Sequence, residues 1–510
     1  HRAPHEAQVF SSLLDGFAVI HCAMHIECIP KHHQQCVLLS LMWGSMQVVW
    51  CIQIAFTTPT LVHLGVTKSV LGVVWLAGPL SGIFVQPIVG AASDGCRSPW
   101  GRRRPFIAGG GLVACVTLLL FSFAEDIGRL LGDSDDAHLV GASIAIAAFW
   151  VQDCALNTIQ GPCRALVADI LPVECHAAAN WSISFSTGAA YWVAYGSGAL
   201  DLRGLLGIFH TQLQGMYAVA LLGMVILGIL PLVLLSEEPV QGDELRAVKS
   251  WKPSDICAQV VASYRAMPAE LMPVFLIQFW SFFAWFAFKL PVSDWVAEDV
   301  FDGDALAQGG PGHERFEAGI RYASLCLMVM SLVFLTGSAA LGFMGGYVGI
   351  MRLWQCCVLA SVLSFLIMII TATKVLAMLA IGMIGIFFAG AFSIPWIIVS
   401  KAVRDDDQTR GRVTAGFNLS QCFPSIVVSV VSGPVVALSG ESVASIFYLG
   451  LLGSVAAFVL LGRTARDDKY TRFEDTPDVG PVDPESIGNP ATVEHDGVDL
   501  EWSEGSGVAV

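Results

Sequence analysis

A short cationic segment lies between two long uncharged stretches in the first quarter of the chain. Residues 94–105 (DGCRSPWGRRRP) hold one aspartate and four arginines, whereas roughly 70–92 and 105–124 carry no charge. Apolar stretches of about 20 residues are typical of helices that span a bilayer, and positive charge holds the loop between them on the cytoplasmic side. The alternative is a basic loop between two buried helices of a soluble protein, but the pattern continues along the whole chain.

Apolar runs of helical length recur twelve times, and the composition agrees with a membrane protein. Hydrophobic residues make up 55% of the 510 residues and charged residues 14%, against about a quarter charged in soluble proteins. We therefore predict an all-α membrane protein with twelve transmembrane helices. The predicted spans are roughly 38–62, 70–92, 105–124, 139–168, 178–200, 215–235, 271–292, 319–343, 351–371, 375–400, 412–437 and 444–462.

The distribution of Lys and Arg predicts the orientation. With the amino terminus inside, the inner loops and the start of the tail hold sixteen of these residues and the outer loops hold six, so both termini are predicted to be cytoplasmic. The polar connection after the sixth span divides the spans six and six, which is the layout of the major facilitator fold. The predicted domains are an N-terminal cytoplasmic segment (1–37), a six-helix half (38–236), a central cytoplasmic loop (237–270), a second six-helix half (271–463) and an acidic tail (464–510).

Several function classes are disfavoured by the sequence. Twelve acidic residues against two basic ones from Asp467 onward supply −10 of the net charge of −15, so the membrane part is nearly neutral and nucleic-acid binding is not expected. The chain has no Gly-x-x-x-x-Gly-Lys-Ser/Thr phosphate loop and no metalloprotease or nucleophile-elbow motif. His21, Cys22, His25 and Cys28 have metal-like spacing, but they lack a second well-spaced half, so no metal site is expected. We predict no enzyme activity and no cofactor, and we expect transport to be driven by a gradient.

Two ionisable residues lie in the fourth span, where charge is costly and usually functional. Asp153 lies near its middle and Arg164 toward its cytoplasmic third. Eleven residues turn a helix by about 1100°, so both side chains lie within ~20° of one face, about 16 Å apart. Asn157 and Gln160 lie close to the same stripe. The alternative is a charge pair that satisfies other helices without binding substrate.

Charged residues near the span ends are candidates for gating. Asp94, Arg102, Arg103 and Arg104 in the first cationic loop are predicted to form a cytoplasmic latch, through helix capping or pairing between charges. Asp169, at the cytoplasmic end of the fourth span, is assigned to a loop or gating contact. Lys289 is expected to reach the outer interface. Asp294 is a candidate guard of the outer mouth, and Trp295 is interpreted as an interfacial belt residue.

Several motifs resemble the plant-type sucrose/proton symporters, within the glycoside–pentoside–hexuronide:cation group of the major facilitator superfamily. The resemblance covers nearly all of 40–465. Its most specific parts are GPLSG at 78–82, VQPIVG at 85–90, GRRRPFI at 101–107 and QGPCRALVAD at 160–169, and weaker parts are AWF at 284–286, DW at 294–295, SIP at 393–395 and SGP at 432–434.

The resemblance implies proton-coupled sugar uptake. Asp153 matches the membrane-embedded proton acceptor of that family, and Arg164 matches its sugar- and coupling-linked arginine. Gln160, Asn157, Trp285 and Phe286 are predicted to complete the sugar site.

The chain departs from the plant pattern mainly at the outer mouth. Lys68 stands where the family often has a histidine, and Glu298 with Asp299 replaces an Arg-Glu pair. Lys289 stands at an apolar position, Val292 where an acid is common, and Leu156 replaces one of two adjacent asparagines. These departures bear on the identity of the sugar more than on proton coupling.

The predicted partners are therefore a sugar, either sucrose or a related glucoside, a proton and the lipid bilayer. The alternatives are a carrier of another solute, such as a hexose or an organic anion, and a transport-inactive sugar sensor that signals through its tail. The predicted location is the plasma membrane, with a vacuolar or other internal membrane as the alternative.

Overall fold

The computed structural model describes residues 32–464, except 135–137, 173–174, 208, 210, 238–257, 259–260, 263, 266, 307–309 and 403–406. The regular structure of the described residues is helical and includes no strand. The helices of the first half are α1 His33–His63, α2 Lys68–Val74, α3 Ala77–Asp94, α4 Arg104–Ser122, α5 Ala124–Leu130, α6 Leu139–Ile170, α7 His176–Ala199, α8 Leu202–Leu206, α9 Gln212–Gly223 and α10 Leu230–Leu234. Those of the second half are α11 Met272–Lys289, α12 Val292–Trp295, α13 Gly310–Val348, α14 Ile350–Ile370, α15 Lys374–Ala402, α16 Asp407–Leu438 and α17 Ile446–Thr464.

Eleven helical segments within the described residues are long and apolar enough to cross a membrane. They are His33–His63, Lys68–Gly90, Arg104–Ser122, Leu139–Val167, Gln212–Leu234, Ala269–Lys289, Gly310–Ser338, Ile350–Ile370, Lys374–Val399, Gly416–Leu438 and Val443–Thr464. They coincide with eleven of the twelve predicted spans. The predicted fifth span coincides with α7, a 24-residue helix. α7 carries no Asp, Glu, Lys or Arg but is rich in serine and glycine, so the count of twelve spans stays a prediction.

Burial separates the central helices from the peripheral ones. In the most apolar stretch of α1, 89% of the residues are buried, whereas in that of α4 the share is 50%. The outer face of α4 exposes Leu112, Val116 and Leu119. An apolar face of this kind is stable only against lipid or another protein, because water would be ordered around it. α1 therefore belongs to the centre of the bundle and α4 to its perimeter.

Several spans are interrupted or extended. α2 and α3 form one broken span, in which Pro79 occupies the first turn of α3, where its missing N–H leaves no hydrogen bond unmade. The span at Gln212–Leu234 contains a π-helical turn at Met224–Ile229. The predicted seventh span ends near residue 292, but α12 and a π-helical turn at Val296–Val300 keep the chain helical beyond that point.

The bundle has two distinct ends. The arginine end carries Arg102–Arg104, the carboxyl ends of α3 and α6, and Glu237. The acidic end carries Lys68, the carboxyl end of α1, Glu125 and Glu298. The two halves pack together through α7 on α13, and through α2 and α3 on α16. The polar residues of α6 thus lie between the two ends, inside the bundle.

Candidate functional site

Asp153 is buried in the middle of the long helix α6. Its residue is 3% exposed. Gln53 and Trp50 of α1 face the carboxylate, and a β-carbon built on Gly78 of α3 would lie only 3.5 Å from Asp153 Oδ2. Three helices of the first half therefore enclose this carboxylate, and the small residue at 78 leaves room for it.

An amide network continues from Asp153 toward the arginine end. Asn157 Nδ2 donates to Ser81 Oγ at 2.7 Å and to the Asp153 carbonyl at 2.9 Å. Gln86 Nε2 donates to Asn157 Oδ1 at 2.6 Å and to Gln160 Oε1. The structure thus brings together Asp153, Asn157 and Gln160 as the sequence predicted. Ser81 and Gln86 of α3 were missed, although both lie within the motifs GPLSG and VQPIVG.

Arg164 lies further along the same helix. α6 continues through Gly161 and Pro162 to Ile170 without ending. The guanidinium carbon of Arg164 is 5.0 Å from the ring centroid of Trp43 on α1, and the residue is exposed, unlike Asp153. No carboxylate of the described residues lies within ion-pair distance of Arg164. The planar, forked guanidinium of Arg164 is therefore available to a ligand, and the Trp43 ring lies on one side of it.

Aromatic side chains line the second half opposite the amide network. Trp285 of α11 stacks on Phe388 of α15 at 4.1 Å between centroids. Phe388 in turn contacts Phe392 at 3.9 Å and Tyr191 of α7 at 6.2 Å. Phe286 lies edge-on to Trp75 of α2 at 6.4 Å. Trp285 and Phe286 are thus both buried between the halves, each in its own aromatic group.

Lys289 does not reach the outer interface, so that expectation is wrong. Its Nζ lies 4.1 Å from the centroid of Phe286 and 4.9 Å from that of Trp75. Both rings are buried. Lysine snorkels when solvent offers the best surroundings for the ammonium. Here the ammonium lies over two buried ring faces instead.

The cationic loop is fastened within the first half at the arginine end. Arg103 Nε donates to Asp169 Oδ2 at 2.9 Å, and Arg102 pairs with the same carboxylate. Arg104 Nη2 donates to the Leu232 carbonyl at 2.7 Å. The side chain of Asp94 lies outside the described part of the structure, so its predicted contact stays a prediction.

Glu237 is a residue of this end that the sequence analysis missed. Its carboxylate accepts hydrogen bonds from the backbone N–H groups of Arg102, Arg103 and Arg104 at 2.9, 3.0 and 3.2 Å. The Glu237 carboxylate thus satisfies three backbone N–H groups at the start of α4. A negative charge is favourable there, because the N-terminus of a helix carries partial positive charge. The motif offered no signal, because Glu237 lies 133 or more residues away in the chain.

Polar contacts join the two halves at the acidic end. Lys68 of α2 forms an ion pair with Glu298, beyond α12. Thr58 Oγ1 donates to the Leu290 carbonyl at 3.2 Å, and His63 Nδ1 lies 3.2 Å from the Ala305 carbonyl oxygen. The Lys68–Glu298 pair unites two positions at which the chain departs from the plant pattern. These departures therefore compensate each other in charge.

Asp294 and Trp295 lie beneath this ion pair rather than at the surface. Asp294 is fully buried, and neither carboxylate oxygen has a hydrogen-bond partner among the described residues. Burial raises the pKa of Asp294 well above its usual range, and the nearby Glu298 adds to the rise. Trp295 is 1% exposed and meets Phe447 edge-on at 5.3 Å. The interpretation of Trp295 as a belt residue is therefore wrong.

A bundle of apolar helices around a buried carboxylate and an amide network, with an arginine that has no carboxylate partner among the described residues, is typical of a membrane transporter. The chain belongs to the Major Facilitator Superfamily, which matches residues 38–429. Among curated proteins it is similar to sucrose transport protein SUT1 of Oryza sativa subsp. japonica, with 27% identity over 480 residues, covering 84% of this chain and 88% of the rice protein. It is also similar to SUC4 of Arabidopsis thaliana, with 27% identity, covering 82% and 88%.

Solved structures show the same fold. The nucleoside transporter NupG matches with a TM-score of 0.57 at 15% identity, covering 85% of this chain and 99% of that chain. A D-xylose-proton symporter matches with a TM-score of 0.53 at 15% identity, covering 83% and 96%. The relatives and neighbours are transporters, so the prediction that this chain is not an enzyme is confirmed.

Proposed function

We propose that the protein is a proton-coupled sugar symporter that carries sucrose or a related glucoside by alternating access. The observation that carries the proposal is the buried Asp153, in line with Asn157, Gln160 and Arg164 on one helix. The sucrose transport proteins among its relatives support a sugar as the solute. A carboxylate in such a place needs either a partner or a proton.

Each polar group has a separate role in this proposal. Asp153 takes a proton from the acidic end, which we assign to the outside. Sugar hydroxyls then bind the Arg164 fork and the Gln160 and Asn157 amides, because these groups offer donors and acceptors together. Trp285 and Phe286 supply apolar surface against the sugar ring. The halves then rock, and Asp153 releases its proton toward the arginine end.

The driving force is the proton gradient, and no cofactor takes part. We place the protein in the plasma membrane with the arginine end in the cytoplasm. Access at the acidic end would be controlled by Asp294. Access at the arginine end would be controlled by the charged residues Asp94, Arg102, Arg103, Arg104 and Asp169.

Uptake of labelled sucrose and labelled glucose tests the proposal in a host that lacks carriers for both. Uptake should be faster at acid than at neutral external pH and should be abolished by a protonophore. Unlabelled glucosides should compete for the site. Uptake of sucrose or any glucoside that is insensitive to pH and protonophore would contradict proton coupling.

A second candidate is a carrier of a sugar acid or another small organic anion. It is favoured by the Arg164 guanidinium, which has no carboxylate partner among the described residues. A bidentate arginine suits a carboxylate at least as well as two hydroxyls. Competition of labelled sucrose uptake by gluconate or glucuronate distinguishes the two, because a neutral-sugar site should ignore both.

A further inference from the structure

Lys289 is a further ionisable residue inside the bundle, and it lies in the half opposite to Asp153. It is the last residue of α11, whereas Asp153 belongs to α6. The matching position of the plant-type pattern is apolar, so the role of this lysine has to be sought in this chain alone.

The aromatic contacts place the ammonium beside the helices that enclose Asp153. Lys289 Nζ lies 4.9 Å from the Trp75 centroid. Trp75 in turn meets Phe149 edge-on at 5.4 Å, and Phe149 lies one turn before Asp153 on α6. Gly78, three residues after Trp75, faces Asp153 Oδ2. The lysine and the aspartate therefore approach the same short segment of the first half.

We infer that Lys289 is the positioning counter-ion that allows Asp153 to release its proton inside the bundle. This inference rests on the proposed function, in which Asp153 carries the coupled proton. When Asp153 is ionised, Lys289 balances its charge across the interface between the halves. When Asp153 is protonated, the ammonium is stabilised by the faces of Trp75 and Phe286.

The proposed proton release from Asp153 breaks one bond and involves no other group of the protein as acceptor. The Asp153 O–H bond breaks, the proton passes to water at the arginine end, and the carboxylate keeps the electron pair. Lys289 remains an ammonium throughout and forms no bond. Without the lysine, the carboxylate would be left as an uncompensated charge in an apolar interior, so Asp153 would hold its proton more tightly.

The test compares the external-pH profiles of uptake for Lys289→Met and Lys289→Arg. Removing an opposite charge near a carboxyl raises the pH at which that carboxyl releases its proton. Lys289→Met should therefore move the midpoint of the profile upward by about one pH unit and lower the maximal rate, whereas Lys289→Arg should keep the wild-type midpoint. Lys374→Met is the matched control, because Lys374 also contacts a ring, that of Phe301 at 4.0 Å, but lies at the edge of the bundle.

A double substitution keeps the inference testable if Lys289→Met fails to reach the membrane. Asp153→Asn combined with Lys289→Met removes both charges, so surface expression and exchange of sugar for sugar should return to the level of Asp153→Asn alone. The counter-ion role is overturned if Lys289→Met leaves the pH midpoint unshifted. It is also overturned if the double variant is as defective as Lys289→Met alone. Neither outcome affects the proposed function, which fails if wild-type uptake is insensitive to pH and protonophore or if Asp153→Asn keeps proton-driven accumulation.

Discussion

At the scale of the residue, the site depends on one helix presenting four polar side chains at turn spacing. Asp153, Asn157, Gln160 and Arg164 follow one another by four, three and four residues, which places them on one stripe of an α-helix. Burial falls along that stripe, from Asp153 at 3% exposure to an exposed Arg164. The buried end suits a proton and the open end suits a solute.

Arg164→Lys should lower sugar uptake at least about tenfold while the protein still reaches the membrane. A planar fork holds two oxygens at once and stacks on Trp43, and an ammonium does neither. Initial rates of labelled sugar uptake, normalised to surface protein, measure the effect. Arg463→Lys at the exposed end of the last helix is the control. Near-normal transport in Arg164→Lys would remove the arginine from the substrate site.

The sequence predicted the stripe on α6 but not what surrounds it. Asp153 and Arg164 were recognisable because a charge inside an apolar run is costly. Ser81 and Gln86 are neutral residues in an apolar run, and only the packing of α3 on α6 shows that they complete the network. Lys289 was misjudged because a lysine near a span end usually reaches solvent, and the ring faces that hold it belong to two separate helices.

At the scale of the element, breaks and extensions of helices position the residues that we propose as gates. The break between α2 and α3 separates the segment that bears Lys68 from the segment that bears Ser81 and Gln86. The helical extension past Lys289 carries Glu298 across to Lys68. The extension was missed because acidic residues in the last turns resemble a loop. The sequence also predicted no partner for the backbone N–H groups at the start of α4, because Glu237 lies at the far end of the same half in the chain.

Charge reversal tests the ion pair at the acidic end. Lys68→Glu should reduce uptake about fivefold, because two carboxylates would face each other where a partly exposed pair contributes about 1 kcal/mol at most. The double variant Lys68→Glu with Glu298→Lys should restore most of the loss. Uptake at normal and at high salt measures both variants. A double variant no better than the single one would show that the pair does not join the halves during transport.

The latch at the arginine end should act on turnover. Arg102→Ala with Arg103→Ala removes both partners of Asp169 and loosens the loop that ties α3 to α6. The maximal uptake rate should fall several-fold, while the half-saturating sugar concentration changes less than about twofold, because neither arginine contacts the proposed sugar site. Arg97→Ala, an exposed arginine of the same loop, is the control. An unchanged maximal rate at normal surface expression would contradict the latch.

At the scale of the whole molecule, the two halves touch at the acidic end and share the polar interior. Gly72 packs against the Ser429 carbonyl oxygen and Gly433 against that of Ser69, so that any β-carbon would clash there. Small residues of this kind let helices approach closely in a membrane. The fold class could be predicted from the apolar runs alone, because span length is fixed by the bilayer. The distances between the halves could not, since no local pattern encodes them.

Topology is tested most simply with epitope tags. A tag after Val510 should be hidden from antibody on intact cells and should become accessible after permeabilisation, because sixteen of the twenty-two counted cations fall on the predicted inner side. An epitope inserted after Gly132, in the predicted outer loop between the third and fourth spans, should be accessible without permeabilisation. A tag at Val510 that is stained on intact cells would reverse the assignment of the two ends.

The most direct measurement of the whole account is the pH dependence of sugar accumulation by Asp153→Asn. The amide imitates the protonated carboxyl but cannot release a proton. The variant should bind sugar and exchange it across the membrane, yet it should fail to concentrate sugar and should respond little to external pH, whereas wild-type uptake rises as external pH falls. If Asp153→Asn concentrates sugar against a gradient with the wild-type pH response, Asp153 is not the proton site and the proposed mechanism is wrong.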